Sequence, residues 1–145
     1  MKVRDVMTSQ VIHIAPGETV DTAARTLTHY NIGALPVCGS DGSLQGLVTD
    51  RDLVIRCMAS GKQPDKTKVK DVMTGKVQTV DPDMELPVAA HLMGRLQVRR
   101  LPVVKEGKVC GMVSLGDLAK QEETVMDAAD ALWDISENLS SRGGW

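Results

Sequence analysis

The sequence predicts a mixed α/β (α+β) fold: two pseudo-symmetric β-α-β-β-α repeats packed as one module, then a C-terminal amphipathic helix. Three observations predict it. VRDVMT at 3–8 returns as VKDVMT at 69–74, and LPV at 35–37 returns at 101–103 at the same offset of 66. After one deletion in the intervening turn, VTDRDL at 48–53 returns as VSLGDL at 113–118. Seventeen of about fifty aligned positions are identical from end to end, which marks a duplication. A unit of roughly fifty to sixty residues buries too little apolar surface to stand well alone, so the copies are expected to pack together.

Each copy reads the same way in order. A short strand, Val11–Ile14 or Val77–Val80, runs into a turn at Pro16 or Pro82. A helix follows, with one apolar face built from Val20, Ala23, Ala24 and Leu27, or from Leu86, Ala89, Ala90 and Met93. Pro87 falls in the first helical turn, where a missing N–H costs little. Two strands come next, LPVC with LQGLVT and LPVV with VCGMVS, joined by glycine-containing hairpin turns. A second helix opens at Asp50 or Leu115, and the first of these ends near Gly61. The polar stretch ASGKQPDKTK, 59–68, reads as a linker. The boundaries follow: residues 1–62 for the first repeat with the linker's start, 63–121 for the second, 122–145 for the tail. In the tail, Val125, Ala128, Ala129, Leu132 and Ile135 make one apolar stripe opposite acidic residues, ahead of a flexible SSRGGW.

Composition narrows the function. Residues 122–145 hold six acids and one base, net −5, whereas 1–121 are net +3. That faint basicity, with no Phe, one Tyr and two Trp, supplies neither the charge stripe nor the stacking platform of a nucleic-acid binder. No apolar run is long enough to span a bilayer and MKVRDVMT lacks a signal-peptide core, so a cytoplasmic protein is expected. Cys38, Cys57 and Cys110 fit neither a disulfide framework nor a CxxC pair, and read as small buried apolar residues. His13, His29 and His91 stand in no zinc-ligand spacing, and no metal site is predicted. No nucleophile elbow or phosphate-binding GxxxxGK[ST] loop occurs; the sequence predicts no catalytic residue and no enzyme.

The repeated phrase admits two readings. Thr49 with Asp52, and Ser114 with Asp117, have the spacing of a capping box, in which hydroxyl and carboxylate satisfy early helix N–H groups. The same pair suits a nucleotide. An ionised Asp accepts hydrogen bonds only, which matches the two hydroxyls of a ribose, and a hydroxyl at a helix start reaches phosphate. Two copies would then give two pseudo-symmetric sites.

VRDVMT, APGETVDTAARTL, NIGALPV and GLVTDRDL, followed by VKDVMT, VRRLPVV and GMVSLGDL, closely resemble a CBS-domain pair, the Bateman module, of the stand-alone bacterial type. The resemblance covers about residues 1–120. It implies a regulatory protein that binds an adenosine nucleotide in the cleft between repeats, AMP or ATP first, with ADP, NAD and S-adenosylmethionine as alternatives and no required cofactor. Asp52 and Asp117 would hold ribose, Thr49 and Ser114 would reach phosphate. Gly33 and Ala34, with Arg99 and Arg100, would line the sites just before LPV. Ile12 and Gln78 would meet the base edge through their backbones. The arginines, with guanidinium forks suited to phosphate, make the two sites unequal. A homodimer is implied as well, together with an unknown protein partner, and neither nucleic acid nor membrane. The rival reading is a ligandless interaction module whose tail helix docks a partner through Leu132, Trp133 and Ile135.

Overall fold

The computed structural model describes residues 1–141, with side chains through Glu137. Its elements follow the repeat: α1 (Val20–Tyr30), β1 (Ala34–Cys38), β2 (Leu44–Thr49) and α2 (Asp50–Asp52), which continues as a π-helical turn over Leu53–Met58. The second copy gives α3 (Leu86–Leu96), β3 (Arg100–Lys105), β4 (Lys108–Ser114) and α4 (Leu115–Ala119), and the tail gives α5 (Val125–Ser141). β1–β2 and β3–β4 form separate two-stranded sheets.

Compactness divides the described chain differently from the sequence repeats. One unit gathers residues 1–10, 78–105 and 110 onward; the other gathers 11–77 with 106–109. The reason lies in the DVMT phrases. Thr8 exchanges two backbone hydrogen bonds with Met112 of β4 (2.8 and 3.0 Å), and Val3 is fully buried in the core of that unit. Thr74 does the same with Leu47 of β2 (3.0 and 2.9 Å), where Val69 and Val72 are buried. Thus the phrase opening each repeat completes the unit holding the other repeat's hairpin. The linker takes part: Thr67 and Pro64 carbonyls accept from the Val20 and Asp21 N–H groups, satisfying the start of α1.

The expected first strands contract to one bridging residue each. Ile14 pairs in parallel with Val37, and Val80 with Val103. A parallel ladder through Ile14 would extend by using the N–H of residue 36 on one side and of residue 16 on the other. Both are proline, as are their counterparts Pro102 and Pro82, so no donor exists to continue it. The backbone groups of Ile12 and Gln78 consequently make no hydrogen bond among the described residues.

The helix faces also differ between copies. Val20, Ala23 and Leu27 of α1 are buried but Ala24 is exposed, whereas Leu86, Ala89, Ala90 and Met93 of α3 are all buried. The cause is α5, which packs on α3 and α4. Its buried row is Ala128, Ala131 and Ile135, not the full stripe read from sequence, since Val125, Ala129 and Leu132 are exposed. Ile135 lies in the core and cannot anchor a partner as expected; Leu132 and Trp133 remain on the surface. Gly94 permits the close approach, for a Cβ there would stand 3.3 Å from Ala131 Cα and 3.2 Å from Asp134 Oδ2. The buried Thr124 hydroxyl donates to the Leu118 carbonyl (2.8 Å), tying the start of α5 to α4. Cys38 and Cys57 are buried, and desolvation pushes the Cys38 thiol above its ordinary range.

Candidate functional site

Both hydroxyl–aspartate pairs form complete capping boxes. Asp52 Oδ2 accepts from the Thr49 N–H (2.9 Å) and Thr49 Oγ1 accepts from the Asp52 N–H (3.1 Å). In the other unit, Asp117 Oδ2 accepts from the Ser114 N–H (2.8 Å) and Ser114 Oγ accepts from the Asp117 N–H (3.2 Å). Capping uses one oxygen of each carboxylate and only the acceptor capacity of each hydroxyl. The second oxygen and the hydroxyl proton are left for another partner.

The residues before LPV stand beside these caps because the hairpins bring them there. Ala34 is paired with Thr49 across β1–β2, and the Gly33 carbonyl accepts from the Asp50 N–H (3.0 Å). The Arg99 carbonyl likewise accepts from the Leu115 N–H (2.8 Å), which sets Arg99 and Arg100 next to Ser114. Ile12 is part-buried at the edge of the first core and the Gln78 side chain is exposed. Each unit therefore carries half of the predicted residues: Ile12, Gly33, Ala34, Thr49 and Asp52 in one, Gln78, Arg99, Arg100, Ser114 and Asp117 in the other.

The two ends are chemically unequal. Asp52 Oδ1 lies 3.9 Å from Arg56 Nε, while Arg56 Nη1 donates to the carbonyls of Val72 and Met73 (3.2 and 3.0 Å). A fixed cation thus partly neutralises Asp52. The counterpart of Arg56 is Gln121, and Asp117 has no ion-pair partner among the described residues. Nor do Arg99 and Arg100 pair with a carboxylate among those residues. A pocket of about 460 Å³ opens beside them, within the range of small-ligand sites. Arg99, Arg100 and Ser114 line one side and Val125, Ala129 and Leu132 of α5 line another; Asp117 is not part of its wall. The α5 residues and Arg56 were not among the predicted site residues. The signal for the former was available in α3, where Gly94 stands in place of Thr28 and opens a groove for a helix beside Ala90.

Among the described residues no three His, Cys, Asp or Glu side chains gather as metal ligands, and no helix is long and apolar enough to cross a membrane.

Comparison with known proteins agrees with this architecture. The uncharacterised protein YlbB of Bacillus subtilis is 41% identical over 145 residues, 99% of this chain and 97% of its own. Hypoxic response protein 1 of Mycobacterium tuberculosis is 35% identical over 117 residues, 81% of this chain and 82% of its own. A crystal structure of Hypoxic Response Protein I with two coordinated zinc ions superposes with a TM-score of 0.77 at 34% identity, over 83% of this chain and 98% of that one. The CBS domain pair of protein MJ0100, solved with 5′-methylthioadenosine and S-adenosyl-L-methionine, superposes with a TM-score of 0.74 at 26% identity, over 83% and 94%. The CBS domain pattern itself matches twice, over residues 3–58 and 69–124. With two such repeats built as mixed α/β units and a helix added after them, this chain belongs to the CBS domain family.

Proposed function

We propose that the chain is a non-enzymatic sensor that binds an adenosine nucleotide, AMP or ATP, and passes its occupancy to a partner. The observation that carries this reading is the pocket lined by Ser114 and by Arg99 and Arg100, neither of which pairs with a carboxylate among the described residues. Arginine forks match phosphate oxygens, and Asp117, whose second oxygen accepts no protein hydrogen bond among the described residues, suits a ribose on the adjoining face. The backbone groups of Gln78 and Ile12, which make no hydrogen bond among the described residues, support the expected contact with a base edge. Binding of adenosine compounds by the similar MJ0100 pair supports the ligand class. Because Asp52 is already paired with Arg56, the Arg99–Ser114 end is the primary one.

A second reading, a ligandless module acting through contacts with itself or a partner, is favoured by the completeness of the capping boxes. It draws further support from the exposed apolar side chains Val54, Ile55, Met58, Leu132 and Trp133. A homodimer is compatible with both. Thermal unfolding with AMP, ADP, ATP, NAD and S-adenosylmethionine separates them. Ligand at about 100 times its Kd should stabilise by ~2.7 kcal/mol. A shift abolished in Asp52→Ala/Asp117→Ala supports the sensor; no shift with any of the five supports the module.

A further inference from the structure

Helix α5 meets its own unit along two edges with different consequences. One edge is consumed by the fold: Ala128, Ala131 and Ile135 are at most 5% exposed, packed on α3 and α4. The neighbouring edge, Val125, Ala129 and Leu132, is apolar yet open to solvent, with Val125 42% and Leu132 43% exposed. Those three residues face the pocket that holds Arg99, Arg100 and Ser114. An open apolar wall, in one pocket with two arginines that pair with no carboxylate among the described residues, gives it two chemistries, one for an anion and one for the body attached to it.

We infer that α5 is a working wall of this pocket, and that ligand occupancy and α5 docking stabilise each other. The inference rests on the nucleotide reading above and adds the element that registers the ligand. A ligand filling the pocket from the arginines covers Val125, Ala129 and Leu132 as well as Leu115 and Ala119 of α4, so it gains the α5 share of its apolar contact only while α5 is docked. Ile135 apart, the docking runs through small groups and one buried hydrogen bond, which suits it to such a bias. These are Ala131 over Gly94, and the Thr124 hydroxyl on the Leu118 carbonyl. Leu118 belongs to α4, the same short helix that carries Asp117, so the nucleotide-facing cap and the start of α5 share one support. Reciprocity then requires that what tightens α5 also tightens the ligand, by the same factor. The effect is one-sided, since among the described residues no helix covers α1 of the other unit, and Ala24, the counterpart of buried Ala90, is exposed. The four acids of α5, Asp127, Asp130, Asp134 and Glu137, travel with the helix, so its docking changes the electrostatic surface that a partner meets.

The test uses the full chain with AMP as probe. Hydrogen exchange of the amides of 125–137 should slow on AMP binding, and Ala129→Trp, which fills the pocket from an exposed position, should weaken AMP by about tenfold or more. Gly94→Val, which pushes α5 away, should weaken AMP by the factor by which AMP protects α5 in the wild type. Circular dichroism of the variants checks that α3 and the hairpins stay folded. AMP binding that depends on Asp117 but leaves α5 exchange and the Ala129→Trp affinity unchanged overturns this inference alone. Absence of binding by the whole nucleotide panel overturns the nucleotide reading with it.

Discussion

Asp117 offers the sharpest separation of cap from ligand site, through two substitutions that differ by one functional group. In Asp117→Ala the Ser114 N–H loses the acceptor it holds at 2.8 Å. Loss of a cap costs about 1 kcal/mol, which lowers Tm by roughly 2–4 °C for a chain of this length. Asp117→Asn keeps an oxygen in the same place, so the cap survives and Tm should fall by less than half as much. The nucleotide responds differently. Hydrogen bonds from sugar hydroxyls to a carboxylate are worth ~1.5–3 kcal/mol, and an amide keeps the shape while losing the charge and one acceptor. Both variants should therefore weaken AMP by about 10- to 100-fold. Calorimetry without ligand and titration with AMP read the two quantities separately. An Asn variant that binds AMP as well as the wild type would reduce Asp117 to a helix cap, and an Ala variant with unchanged Tm would refute the capping argument.

Arg99→Ala, at an exposed position, and Arg100→Ala, at a half-buried one, should each weaken AMP and flatten its dependence on salt, the Arg99 change shifting stability by no more than about 0.5 kcal/mol; titration at two salt concentrations checks this. Gly46→Ala should cost about 1–3 kcal/mol, because a Cβ there would stand 2.6 Å from the Thr74 carbonyl oxygen in the pair that holds the VKDVMT segment. Gly111→Ala should cost less, since its nearest obstacle is the flexible Met7 Sδ and the Thr8 carbonyl lies at 3.1 Å; equal losses in urea unfolding would contradict the comparison. Asp41 accepts from the Ser43 hydroxyl (2.6 Å) and N–H (3.0 Å), which hold its carboxyl below the ordinary carboxylate range. Its contribution to stability is thus present above the unfolded-state carboxylate pKa and lost as pH falls through the lower folded value. In Ser43→Ala the NMR titration midpoint of Asp41 should move upward, and an unmoved midpoint would refute that cause.

What could be read from the sequence was whatever short-range chemistry governs. The helix spans, the hairpin turns and the Thr49/Asp52 and Ser114/Asp117 caps depend on residues a few positions apart, and each forms at the residues that encode it. The contraction of the first strands was legible in principle as well, because Pro16, Pro36, Pro82 and Pro102 remove the very N–H groups that a longer ladder needs. Tertiary structure decided the remainder. Two nearly identical phrases, VRDVMT and VKDVMT, have the same local preferences, so nothing within either specifies which hairpin it completes. Only the backbone pairs Thr8–Met112 and Thr74–Leu47 do. Amphipathicity likewise marks a helix that will bury a face without naming the surface that receives it or the exact edge that is buried. The groove over Ala90 and Gly94 chose the row Ala128, Ala131 and Ile135, and in doing so left Val125, Ala129 and Leu132 to line the pocket that Arg99 and Arg100 share. Contacts between residues far apart in the chain are set by which close packing is available, and that is a property of the folded whole.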